Sequence, residues 1–163
     1  MTRLFDVMRS MAASMIETFP AESFDIPRGG SNSVKWIAGH LVLGMDFGLN
    51  ILGQPTENLE SMMPIYGPGS PGGSIGDDGR TQAWMVQQLR SAGDRLKRSV
   101  ASLDLPALHQ PNQTPFLAES LPTVGDLLGH VYTTHIALHT GQISQIRREM
   151  GEPSFYDFGG GDA

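Results

Sequence analysis

Four stretches of the chain carry apolar residues at every third or fourth position, a period that fits helices and not strands. The first runs from about Thr2 to Phe19, with Leu4, Met8, Met11, Met15 and Phe19 as its stripe, and Pro20 ends it. The second starts near Ser31 or Asn32, either of which can cap, and reaches about Leu52 before Gly53 and Pro55. Trp36, His40, Leu43, Phe47 and Ile51 share its face. The third, roughly Thr81 to Leu103, presents Met85, Leu89, Ala92, Leu96 and Val100. The fourth follows Pro122, with Thr123 as cap and Asp126 near the positive end of the helix dipole, and runs to Met150 before Gly151 and Pro153. Gly/Pro-rich connections over 53–80 and roughly 104–122 read as loops. The expectation is an all-α protein, a four-helix bundle whose long connection between the second and third helices crosses the bundle.

A chain of 163 residues suffices for one such domain, spanning 1–163, and is short for two. The tail from about 151 to 163 reads as partly mobile, with Phe155, Tyr156 and Phe158 available to pack on the bundle or on a partner. A net charge of −6 argues against a general grip on nucleic acid or anionic lipid. Arg90, Arg95, Lys97 and Arg98 on the third helix read as a solvated face. No apolar run reaches membrane-spanning length, and charges interrupt the N-terminal MTRLFDVMRSMAAS where a signal peptide would be continuously apolar. The cytoplasm is therefore the expected compartment. The absence of cysteine excludes disulfides, thiolate metal sites and a thiol nucleophile of the chain's own. Any sulfur chemistry must use a thiol from outside.

The fourth helix ends in HIALHTGQISQIRREMG, which sets His135 and His139 four residues apart. At about 100° per residue the two rings lie within about 40° of each other, one turn apart, and can aim at one point. They share the stripe of Leu128, Tyr132, Gln142 and Ile146, which faces the bundle interior. His130 falls about 140° from His135 and points elsewhere in an undistorted helix. It reads, like loop residue His109, as an ordinary hydrogen-bonded or half-exposed side chain. His40 occupies a matching place on the second helix. Three imidazoles converging in an apolar interior would repel one another if charged, whereas neutral rings around a divalent cation satisfy their nitrogens together.

The sequence resembles the DinB-like superfamily, which includes bacterial thiol-dependent S-transferases. WIAGHL on the second helix and HIALHTGQISQIRREMG on the fourth carry the resemblance. It implies a four-helix bundle with a three-histidine metal site at His40, His135 and His139, and a homodimer. The metal it implies is divalent, zinc or nickel first and iron next. With three neutral ligands and an open fourth position, a bound water or low-molecular-weight thiol would lose its proton more readily. The expected activities are thiol S-transfer and then hydrolysis. The reading from another class is a non-enzymatic bundle that binds a structural metal or a small molecule. No general base is evident: Ile136 stands where a zinc protease carries its glutamate, and Gln142, Asp46 and Glu17 receive no catalytic role. Some S-transferase relatives replace one ligand histidine by glutamate, so this all-histidine set does not choose a subfamily.

Three further features invite functional readings that the pattern does not support. GPGSPG, residues 67–72, fits a GxGxxG string but lacks a preceding strand, and its prolines remove amide donors that phosphate binding would want. Asp77 and Asp78 lack the alternating ligands of a calcium loop and read as the cap of the third helix. The methionines of the first helix read as adaptable core packing.

Overall fold

The computed structural model describes residues 2–115, 117–153 and 155. Helices and turns make up its regular structure, with no strand among the described residues and a single isolated bridge between Pro111 and Thr123. The elements are α1 (Thr2–Glu17), a 3₁₀ turn (Ala21–Ser23), α2 (Val34–Ile51), α3 (Leu59–Tyr66), α4 (Gln82–Ala101), the short α5 (Leu105–Leu108), α6 (Val124–Gly129), a π-helical turn (His130–Thr134) and α7 (His135–Glu149). The predicted fourth helix is thus α6, the π turn and α7 run together. Helix α2 packs on α4, α4 on α1, α1 on α7 and α7 on α2.

Capping chemistry explains where the long helices begin. Ser33, and not Ser31 or Asn32, caps α2 by accepting from the Trp36 amide. Asn32 instead accepts from the Gly73 amide and so ties the long connection to the start of α2. Thr81 caps α4, which frees Asp78 for another role. Thr123 caps α6 as expected, and Asp126, expected only to favour the helix dipole, bonds back to complete a reciprocal capping box.

Burial corrects the predicted stripe of the first helix. Met15 and Phe19 are buried and Met8 and Met11 pack against the core as expected, but Leu4 is 53% exposed and its neighbour Phe5 is buried instead, with Ala12 and Ile16. The five α4 positions from Met85 to Val100 are all buried as expected. Helix α2 is buried on nearly every side, so one face can meet the core through Ile37, Leu41 and Met45 while another carries Trp36, His40 and Leu43. The basic residues of α4 are not simply a solvated face. Arg90 pairs with Glu17, Arg95 with Asp46 and Glu57, and Lys97 with Asp6.

The 53–80 connection is built, not slack. It holds α3, and the Asp25 carboxylate accepts from the Ser74 hydroxyl and the Ile75 and Gly76 amides, pinning its far end. Lys35, with a side chain only 8% exposed, bonds the Gly76 carbonyl and pairs with Asp78. At the other end of the chain, Phe155 packs against the core, and Tyr156 and Phe158 lie outside the described residues. No described helix is long and apolar enough to cross a membrane.

Candidate metal centre

His40 on α2 and His135 and His139 on α7 come together, with one potential ligand atom from each lying within 4.8 Å of the others. The His40 and His135 Nε2 atoms stand 3.0 Å apart, and His139 lies edge-on to both rings at centroid distances of 4.7 Å. A tetrahedral cation with imidazole bonds near 2.0–2.1 Å holds its ligand atoms roughly 3.3 Å apart. That spacing falls between the closest and widest separations of this cluster.

Neighbouring groups decide which nitrogen faces inward. The His40 Nδ1–H donates to the Tyr66 carbonyl at 2.7 Å, which leaves its Nε2 as an acceptor. The His139 Nδ1–H donates to Gln142 Oε1 at 2.7 Å, with the same result. Metal-binding histidines are commonly oriented in this way, the second ring nitrogen held by a carbonyl or amide oxygen. His135 Nδ1 is buried with no hydrogen-bond partner among the described residues, and its Nε2–H donates to the His40 Nε2 at 3.0 Å. Moving that proton to Nδ1 leaves an Nε2 lone pair on each of the three rings, a donor set that fits a divalent metal ion.

Burial keeps the rings neutral. It drives His135 down to about 2, with further depression from His139, His40 and His130. It lowers His139 to about 4, helped by His40 and opposed by the Gln142 hydrogen bond. His40 is lowered by burial, against the Tyr66 hydrogen bond that favours its charged form. Neutral imidazoles offer lone pairs to a cation at pH 7.

Several residues that build this arrangement were not singled out by the sequence pattern. Trp36 stacks on His40 at 4.8 Å and 12°, and its indole N–H is shared between the Ile65 carbonyl and the Ser70 hydroxyl. Gly39 accommodates the Tyr66 ring, since a Cβ there would lie 2.3 Å from it. Gly44 accommodates His135 in the same manner, at 2.9 Å from its Cε1. A glycine one turn after His40 was the available signal. Tyr66 acts through its backbone carbonyl, for which side-chain identity gives no signal. Its hydroxyl donates to Asp78, which Lys35 and Arg80 flank at 2.9 and 2.8 Å. Burial raises the Asp78 pKa, but Lys35, Arg80 and Tyr66 outweigh it and hold the carboxyl well below the usual range. Asp78 thus anchors the segment that positions His40, correcting its reading as a helix cap.

The π turn overturns the expected direction of His130. One extra residue per turn brings its ring to 5.6 Å from that of His135, and both line one cavity. Thr133 bonds the Gly129 carbonyl through its hydroxyl, and Tyr132 reaches the Leu96 carbonyl from within the turn. Such back-bonding competes with regular helix pairing and bends helices. Gln142 is exposed at the edge of the helix, not in its interior stripe, yet it still reaches His139. Among the other acids and histidines, His109 is exposed. Asp46 is fully buried and committed to Arg95 and the Glu57 and Asn58 amides, and Glu17 is held by Arg90.

The cavity beside the histidines measures about 510 Å³ and is lined by His40, Gly44, His130 and His135 together with apolar side chains. Comparison with curated proteins finds no match. A sequence model described as the DinB superfamily matches residues 4–143, which takes in all three converging histidines.

Proposed function

Because the chain belongs to the DinB superfamily, we propose that it is a metal-dependent enzyme whose His40, His135 and His139 hold a divalent cation. Imidazole suits zinc, nickel, copper and iron alike, and zinc or nickel is proposed first, then iron. The observation that carries this reading is the convergence of three neutral imidazoles, two of them locked with Nε2 inward, at the wall of a cavity. When bound, such a cation supplies Lewis acidity that eases deprotonation of a low-molecular-weight thiol or a water in its open position. The chain's own part is to fix that geometry. Tyr66 and Trp36 position the His40 ring, Gln142 orients His139, and Gly44 leaves room for His135.

Thiol S-transfer is the proposed reaction, with hydrolysis second. We read the packing of α1, α2, α4 and the α6–α7 run as a four-helix bundle in which the 53–80 connection crosses from α2 to α4. A homodimer belongs to the same proposal, with Leu4 and Val7, both more than half exposed on α1, as an apolar face for it. The test supplies zinc- or nickel-loaded protein with a panel of small thiols and electrophilic acceptors, and separately with ester and amide substrates. Metal-dependent thiol consumption that His139→Ala abolishes supports the transferase. Metal-dependent hydrolysis alone favours the second reaction. If neither is seen, the enzyme reading gives way to a non-enzymatic metal- or ligand-binding bundle.

A further inference from the structure

The cavity next to the histidine cluster has a second chemical character. Leu43, Phe47, Met63, Pro68, Leu117 and Val131 supply hydrocarbon or thioether surface, and no described lining residue carries a formal charge at neutral pH. Its size of about 510 Å³ falls within the range of small-molecule sites. The polar groups are confined to one end, where His40, His130 and His135 meet. Thr134 engages Nδ1 of His130, which leaves Nε2 as the ring nitrogen able to meet a ligand. The wall is assembled from α2, α3, Pro68 just after it, Leu117, the π turn and the start of α7.

We propose that this cavity binds an uncharged small molecule with a predominantly apolar body, its reactive end turned toward the histidines. Away from the histidine end, an ionised carboxylate, phosphate or sulfonate would lie against apolar wall with no cationic side chain among the described lining residues, and a cation at the histidines would compensate it at that end alone. The orientation of the reactive end rests on reading the histidines as a metal centre. The class of occupant rests on the cavity wall alone. It follows that the second substrate of the proposed reaction has an apolar, uncharged body.

Two fluorescent probes of similar aromatic body test the inference on the metal-free full chain: neutral N-phenyl-1-naphthylamine and anionic 1-anilinonaphthalene-8-sulfonate. Wild type is expected to bind the neutral probe at least tenfold more tightly. Met63→Lys places a charge at the wall from a residue already 40% exposed, so the fold should survive. It is expected to weaken the neutral probe at least tenfold, and Leu117→Lys, from a loop, should do the same. Equal or tighter binding of the sulfonate would overturn the proposal. So would neutral-probe binding that both folded lysine variants leave unchanged, as it would be in the separate groove beside Phe24 and Val86. His139→Ala separates the two ideas, because His139 is a proposed metal ligand and not a lining residue. Retained probe binding with lost metal binding supports the cavity independently, whereas metal binding without selective probe uptake sinks the cavity proposal alone.

Discussion

His139 combines deep burial, a fixed tautomer and proximity to two other imidazoles, so it is the residue whose neighbours should be most informative. Gln142→Ala removes the oxygen that holds its Nδ1–H. The expected loss in metal affinity is about 10–100-fold, as for other groups that orient a ligand, measured by competition with a chromophoric chelator. Gln142→Glu keeps an acceptor and should lose less. Acid titration gives a second check at this scale. The unfolded chain protonates His139 near the ordinary 6.5, whereas burial, and then His40, hold the folded-state value down to about 4. As pH falls between those values the unfolded state takes up the proton first, so the metal-free protein loses stability across that window. Above about 6.5 the contribution is fully present. Urea midpoints should therefore decline from pH 7 to 4, and more shallowly in His139→Gln. The pair His135 and His139 was legible because helical period alone places them on one side. Gln142 was legible as a neighbour but not as exposed, since three residues of spacing do not say which edge of the buried stripe a side chain occupies.

At the scale of elements, the π turn and the strap between α3 and α4 do what regular helices would not. The turn spans His130–Thr134 and changes the angular relation between His130 and His135. A simple wheel built at 3.6 residues per turn separates them, and only a bent helix unites them. Paired threonines such as Thr133 and Thr134 also occur in straight helices, so they give no signal of the turn. The strap hangs on Asp78. Its replacement by alanine leaves Lys35 buried without its partner carboxylate, for an expected cost of roughly 3 kcal/mol in chemical unfolding. The same substitution frees the Tyr66 hydroxyl and should loosen the carbonyl that orients His40, so metal affinity should fall as well. Tyr66→Phe keeps the carbonyl and the ring over Gly39 and should spare affinity better than Asp78→Ala. The cap of α6 was legible because Thr123 stood alone there, whereas at α4 Asp77 and Asp78 drew the expected cap away from Thr81. The cap was also less legible at α2, where Ser31, Asn32 and Ser33 are consecutive candidates and tertiary pairing to Gly73 claims one of them.

Across the whole molecule, helices distant in sequence bring the histidines together through ordinary core packing. Leu89 is fully buried on α4 and lines neither the metal cluster nor the cavity. Leu89→Ala should cost about 2–5 kcal/mol in unfolding while the folded fraction keeps full metal stoichiometry. The paired substitution Leu4→Glu/Val7→Glu tests the proposed dimer, with sedimentation expected to shift from dimer to monomer and far-ultraviolet dichroism unchanged. The helical class was legible because apolar period and Gly/Pro punctuation agree along most of the chain. Rotation of α1 about its axis was not, since Leu4 and Phe5 are adjacent apolar residues and only the packing of α1 against α4 and α7 selects Phe5. Helix α3 was hidden in a Gly/Pro-rich connection because its eight residues are too few to display a period and include Pro64.

Metal uptake is the most direct test of the central claim. Protein produced without a polyhistidine tag is dialysed against zinc or nickel and assayed for bound metal by elemental analysis, beside His40→Ala, His135→Ala and His139→Ala. One ion per wild-type chain, with each variant weakened at least 100-fold, is the expected result. Equal uptake by the wild type and all three folded variants would contradict a shared centre at these histidines.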